Sequence, residues 1–246
     1  LKKRKPILLS LILLPLLIAG LFFFHGFDGL IFSRAADSFF RQSLSGDALS
    51  LHFTLAYPEK AGIHLDAPSL PVYSRQSSAR SDLAAQKLYD KLCRLDPDRL
   101  SPNRRYTLKL LLYSLEQEIQ GQNFPYYGEP LSPSSGLHTE LPLLLAEYTF
   151  RNEEDVKNYL AILGTVPEWA DGLASYEREK AAAGLFMTDQ DAANVIDQCV
   201  EILEEGSLSS GTHFLQTTFR DRLDLLFSQG LVTESGRETF LAENDR

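Results

Sequence analysis

Residues 6 to 24, PILLSLILLPLLIAGLFFF, run for 19 positions without a charge. At 1.5 Å per residue a helix of this length matches the roughly 30 Å hydrocarbon core of a bilayer. A segment apolar on every side has no face to offer water, so it restricts the chain to a few arrangements. Lys2, Lys3, Arg4 and Lys5 precede it, and such a cluster stays in the cytoplasm while the following chain is sent outward. The alternative is a cleaved secretory signal, whose apolar region is shorter and ends at a small-x-small site; Ser33 and Ala35 offer a poor one. A bacterial lipoprotein would carry a cysteine after Ile18-Ala19-Gly20, where Leu21 stands. The expected organisation is a basic tail with a membrane anchor or uncleaved signal over 1–28, then a helical domain over 29–246. That places a single-pass protein in the cell membrane with its bulk extracytoplasmic.

Beyond residue 5, 20 basic residues face 33 acidic ones. Phosphate binding needs a clustered basic face, and none follows the first five residues, so no nucleic-acid partner is expected. With 44% hydrophobic residues the chain has the means to bury a core. Cys93 and Cys199 are the only cysteines; each falls on an apolar helical face, which predicts two buried thiols acting as small hydrophobes.

The apolar spacing predicts an all-α fold. Residues 30 to 44 form an amphipathic helix stopped at Gly46-Asp47, and 56 to 80, rich in Pro, Ser and Arg, read as an irregular connection. From Asp82 the period becomes helical, with Leu88, Leu92 and Leu95 on one side. Ser101 and Pro102 open a helix striped by Leu108, Leu111, Leu112, Leu115 and Ile119. Asn152 caps another whose inner face is Val156, Tyr159, Leu160 and Leu163, and Glu153, Glu154 and Asp155 suit its positive start. Pro167 opens a helix through Trp169, Leu173 and Tyr176. Thr188 caps the next, with Val195, Ile196, Cys199, Ile202 and Leu203 inward and Gly206 at its end. Phe214, Leu215, Phe219, Leu223 and Leu226 line the following helix, and Thr233 caps a final one. No stretch alternates with period two as a strand would.

Familiar catalytic patterns are absent. No His-Glu-x-x-His places two imidazoles one helical turn apart for zinc. His138-Thr139-Glu140 has the spacing of a zinc deaminase without the Pro-Cys-x-x-Cys such a site requires. His25, His52, His64, His138 and His213 are scattered, and no nucleophile elbow or phosphate loop occurs. A serine of Ser132-Pro133-Ser134-Ser135-Gly136 would need a base to act as a nucleophile, and none is located. Ser134, Ser135 and Gly136, with His138 beyond them, are the substrate-binding candidates; the alternative is that Ser132 or Ser134 simply caps the helix that follows. Phe124, Tyr126 and Tyr127 in a Pro- and Gly-bounded loop are expected to seal a core.

Three ordered blocks, DALSLHFTLAYPEKAGI (47–63), EPLSPSSGLHTELPLLLAEYTFRNEEDVKNYLAILGTVPEW (129–169) and YEREKAAAGLFMTD (176–189), resemble the bacterial family called domain of unknown function 885, over about residues 35 to 246. The resemblance implies a helical zinc metallopeptidase-like fold in a chain about twice this length, with a His-Glu-x-x-Pro-Gly-His helix in its C-terminal half. No position of this sequence matches that motif. The implied roles are scaffold and part of a peptide-binding cleft, not catalytic alone; zinc is expected only in the absent half, and no cofactor in this chain. The implied partners are the membrane, a peptide, or a separate C-terminal catalytic half. The initial Leu, the last helix running to the chain end and the missing motif suggest a fragment, split gene or frameshifted frame. A non-enzymatic extracytoplasmic helical module that binds a peptide or protein is the alternative.

Overall fold

The structure, a computed structural model, describes residues 27 to 245. The membrane helix expected over residues 6 to 24 lies outside them; among the described residues no helix is long and apolar enough to cross a membrane. Those residues form helices and short 3-10 turns without a strand, as the apolar spacing predicts. The chain divides into two compact units, 1–42 with 78–124 and 43–77 with 125–246.

The first unit holds α1 (residues 27 to 45, most of it), the greater part of α3 (Arg75–Leu92) and α4 (Pro102–Gly121). Phe32 and Ala35 of α1, Ala85 and Leu92 of α3, and Leu108 and Leu115 of α4 make its buried cluster. Arg99, in the 3-10 turn Pro97–Arg99, stands 3.3 Å from Asp96 and 3.8 Å from Asp28 of α1. Helix α3 begins seven residues before Asp82, inside the stretch expected to be irregular. The cause is local: Ser77 N–H donates to Ser74 Oγ at 3.0 Å and Ser74 N–H donates to Ser77 Oγ at 3.2 Å. A serine thus serves where a capping box normally has Glu or Gln. Cys93, expected inside, is exposed, because α3 ends at Leu92 and the thiol falls beyond its buried face.

The second unit contains α2 (Ala48–Thr54), α5 (Leu137–Glu147), α6 (Glu153–Gly164), α7 (Val166–Ala182), α8 (Asp189–Ile202), α9 (Glu205–Ser210), α10 (Phe214–Ser228) and α11 (Glu234–Asn244). Its core is aromatic at the centre. Tyr148, Phe150, Tyr159 and Phe219 meet with ring centroids 5.4 to 6.1 Å apart, within the range of favourable edge and tilted contacts. Val156, Ile162, Leu223 and Leu226 close around them. Asn152, Thr188 and Thr233 cap their helices through side-chain oxygens, as expected. Gly206 does not end α8, which stops at Ile202; it lies within α9. Of the face expected to be buried on α8, Val195 is inside while Ile196 and Leu203 point outward, since α8 meets only one neighbour, α5, extensively.

Arg222 of α10 fastens the end of α5. Its guanidinium donates to Leu145 O at 3.0 Å and, in a very short contact, to Tyr148 O, while Nε donates to Thr218 O at 2.8 Å. The last carbonyls of a helix lack their regular partners within it, and Leu145 and Tyr148 are buried. The cation also lies over Phe150 and Tyr159, 4.6 and 5.2 Å from their ring centroids. Arg222→Met keeps the apolar stem but removes the donor to Tyr148 O and the shorter of the two to Leu145 O, so a loss of about 2–4 kcal/mol is expected. A urea melt should show a lower midpoint at unchanged slope; an unshifted midpoint would mean the carbonyls find other donors.

Candidate functional site

A cavity of about 330 Å³ opens in the second unit between the end of α2, the segment 55–68 and the start of α6. Its apolar lining includes Leu51, Leu55 and Ile63, and its polar lining includes His52, Arg151 and Asp155 together with Glu59, His64 and Glu154. Asp47 starts α2 by accepting from the N–H groups of Leu49 and Ser50, and the short helix delivers His52 to the cavity. Asn152 Oδ1 accepts from Asp155 N–H at 3.0 Å, which starts α6 and points the Asp155 carboxylate back at Arg151. That carboxylate accepts from Arg151 N–H at 2.8 Å and stands 3.8 Å from its guanidinium.

His52 is buried and stacked on Tyr148, centroids 3.6 Å apart and rings nearly parallel. Its Nε2 accepts from Thr149 N–H at 3.2 Å, and its Nδ1 lies 3.9 Å from Asp155 and 3.3 Å from Arg151 Nη1. Burial, then the positive charges of Arg151 and Arg222, push its pKa down to about 4. Burial raises the Asp155 carboxyl, opposed by the Arg151 amide and charge, and raises the Tyr148 phenol. The cavity lining thus combines the neutral His52 imidazole with the Arg151 guanidinium and the carboxyl groups of Glu59, Glu154 and Asp155. The Arg151 guanidinium contacts its neighbours through Nη1 and is 30% exposed, which leaves planar N–H donors for an oxygen ligand.

The residues singled out in the sequence lie elsewhere in this unit. Ser134 and Ser135 are exposed on the turn before α5, and Ser134 Oγ pairs with Ser132 Oγ at 3.2 Å. Neither Ser132 nor Ser134 caps α5; the cap is Gly136. The imidazole of His138 folds back over that glycine, so a Cβ built there would stand 2.3 Å from the ring and 2.7 Å from Ser132 O. Gln198 of α8 donates through Nε2 to Pro133 O at 3.0 Å, which turns its Oε1 toward His138 Nε2 at 2.8 Å. His138 thereby donates through Nε2, and its buried Nδ1 carries no hydrogen bond. The histidine ties the turn to α8.

A second polar group lies where loop 125–130 crosses α7. Lys180, fully buried, donates to Gly128 O at 2.9 Å and reaches Glu129 at 2.7 Å, while Tyr176 and Tyr126 donate to Pro125 O and Glu179. Burial raises the Glu177 carboxyl beside them, Lys180 opposing and Glu129 adding. This loop does not seal a core as expected: Phe124 and Tyr127 are exposed and Tyr126 is half-buried, because polar bonds rather than ring burial hold it. Among the described residues no group of three or more His, Cys, Asp or Glu side chains converges as a metal site.

Residues 58 to 235 match the family described as "Bacterial protein of unknown function (DUF885)". The chain belongs to that family. No curated protein and no solved structure shows significant similarity to it. The family's matched segment covers Arg151, Asn152 and Asp155 and begins after His52. Sequence reasoning passed over this wall because nothing in local spacing joins positions 52 and 151; the visible signal was the Asn152 cap, read only as a helix start.

Two outcomes are expected. Gly136→Ala must displace His138 or the backbone at Ser132, and a loss of about 1–3 kcal/mol in denaturant melts is expected, with the His138 ring resonances shifted; unchanged resonances would contradict the clamp. The unfolded chain binds a proton on His52 near the ordinary 6.5, the folded one near 4. The contribution is thus complete above pH 6.5 and lost on acidification through that window, reaching about 3 kcal/mol by pH 4. His52→Gln should lack this component, so the two proteins' stability curves should converge toward pH 4; parallel curves would sink the assignment.

Proposed function

We propose that this chain supplies the scaffold and part of a peptide-binding cleft of a zinc metallopeptidase-like protein, held at a membrane through residues 1–28 and not catalytic alone. The cavity between α2 and α6 carries the reading. The apolar lining accepts a side chain, and Arg151, with donors left over, faces the space where a peptide carbonyl or carboxylate would lie. The lack of charge on His52 suits it to line such a cleft without repelling Arg151 or a ligand cation. The exposed hydroxyls of Ser134 and Ser135 offer a further contact for a peptide backbone. The catalytic chemistry is assigned outside this chain, because the sequence has no His-Glu-x-x-Pro-Gly-His. The membrane role rests on the uncharged run of residues 6 to 24 and the four basic residues before it.

A non-enzymatic module that binds peptides or proteins would use the same cavity, and mixing separates the two. Fluorescence anisotropy of labelled short peptides against the full chain in lipid nanodiscs should give saturable binding. Arg151→Gln should weaken it at least tenfold, and Ser134→Ala with Ser135→Ala by a smaller factor. A larger loss from the serine pair would move the cleft to the turn before α5, and no saturable binding would end the peptide reading. Zinc-dependent hydrolysis only on adding a chain bearing His-Glu-x-x-Pro-Gly-His supports the scaffold role; hydrolysis by this chain alone refutes it.

A further inference from the structure

The outer side of α8 carries two parallel ridges. Ile196, Val200 and Leu203, at spacings of four and three, are 61%, 66% and 64% exposed. That spacing puts Ile196 and Val200 on one line of the helix surface, and Leu203 follows as the residue that caps its end. One position further around lie Asp197 and Glu201, both exposed, and Glu204 is exposed just beyond the helix end. Helix α8 contains no lysine or arginine. Single exposed apolar residues are ordinary, but three together along a helix and its cap form a patch of the kind that marks an interaction surface.

We infer that this face docks an amphipathic helix of a partner whose apolar stripe is bordered on one side by lysine or arginine. Leucine or isoleucine at matching spacing would cover Ile196, Val200 and Leu203, as in a helix pair. The acidic ridge selects the border: basic residues there would meet Asp197 and Glu201, and acidic ones would be repelled. The same ridge argues against other occupants. Two copies of α8 packed antiparallel would bring their acidic ridges together, and an anionic bilayer would be repelled. The surrounding unit strengthens the preference, since it holds 25 of the 33 acidic residues and 10 of the 24 basic ones. The face is separate from the His52 cavity and does not depend on the peptide reading.

The test uses the full chain in phosphatidylcholine nanodiscs, with empty nanodiscs as the blank, and two synthetic 18-residue helices with one leucine stripe bordered by lysine or by glutamate. The lysine-bordered helix should bind at least tenfold more tightly, with affinity falling as salt rises. Ile196→Ser with Val200→Ser should lower that affinity at least tenfold without altering the circular dichroism, because both positions face solvent. Asp197→Asn with Glu201→Gln should lower it less and flatten the salt dependence. Equal binding of both helices, or binding that the Ile196 and Val200 pair leaves unchanged, would reduce the effect to general charge attraction and overturn the inference. So would absence of binding, including the case in which the chain dimerises and the serine pair dissolves the dimer.

Discussion

A single guanidinium sets the order of the second unit's core. Without it, Tyr148 O would lose its donor and Leu145 O would keep only the 3.4 Å contact from Tyr148 N–H, beside Phe150, Tyr159 and Phe219. Arg222 meets that need from the facing helix. A guanidinium suits the task, since one planar group donates to both carbonyls through Nη1 and to Thr218 O through Nε while lying over two aromatic rings. The cation is held by carbonyl dipoles and ring faces rather than by a carboxylate, which avoids the desolvation of a second ion.

The consequence extends to the cavity. Arg222 fixes the Tyr148 backbone, the Tyr148 ring forms the stacking surface for His52, and His52 in turn accepts the Thr149 amide that follows Tyr148. Protonating His52 at Nε2 would break that last bond while adding a third positive charge near Arg151 and Arg222. The imidazole therefore stays neutral for reasons of both hydrogen bonding and charge, and its role is to shape the wall. In the proposed cleft the ligand-facing group is Arg151, whose direction comes from Asp155, whose direction comes in turn from the Asn152 cap. A helix start legible in the sequence thus helps to aim Arg151 into the cavity.

Legibility followed the range of the interaction. Caps at Asn152, Thr188 and Thr233 and the inner face of α6 were plain because each is decided within four residues. The Ser74–Ser77 reciprocal cap was equally local but used serine where Glu or Gln is the familiar sign, and so α3 was started too late. In the sequence Gly136 stands as a companion of the serines, whereas its reason for being glycine is the His138 ring, which a Gln198 sixty residues away holds in place. Nothing in the sequence brings 138 to 198 or 52 to 151; those pairings are products of helix packing. Family membership, by contrast, was readable from three ordered blocks.

Helix α8 shows a different limit. Amphipathic spacing states that a face gains by leaving water, and it is silent on which surface will cover it. Val195 finds α5 within the same unit; Ile196, Val200 and Leu203, equally apolar, are turned the other way. A helix with one apolar face against its own core and a second toward solvent is costly for a protein that stays alone, since the exposed stripe contributes nothing to folding and invites association. The acidic line beside the stripe narrows that association to partners of opposite charge. Stripe and line together have the form of a specificity device: the apolar residues supply attraction, and the carboxylates decide to whom it applies.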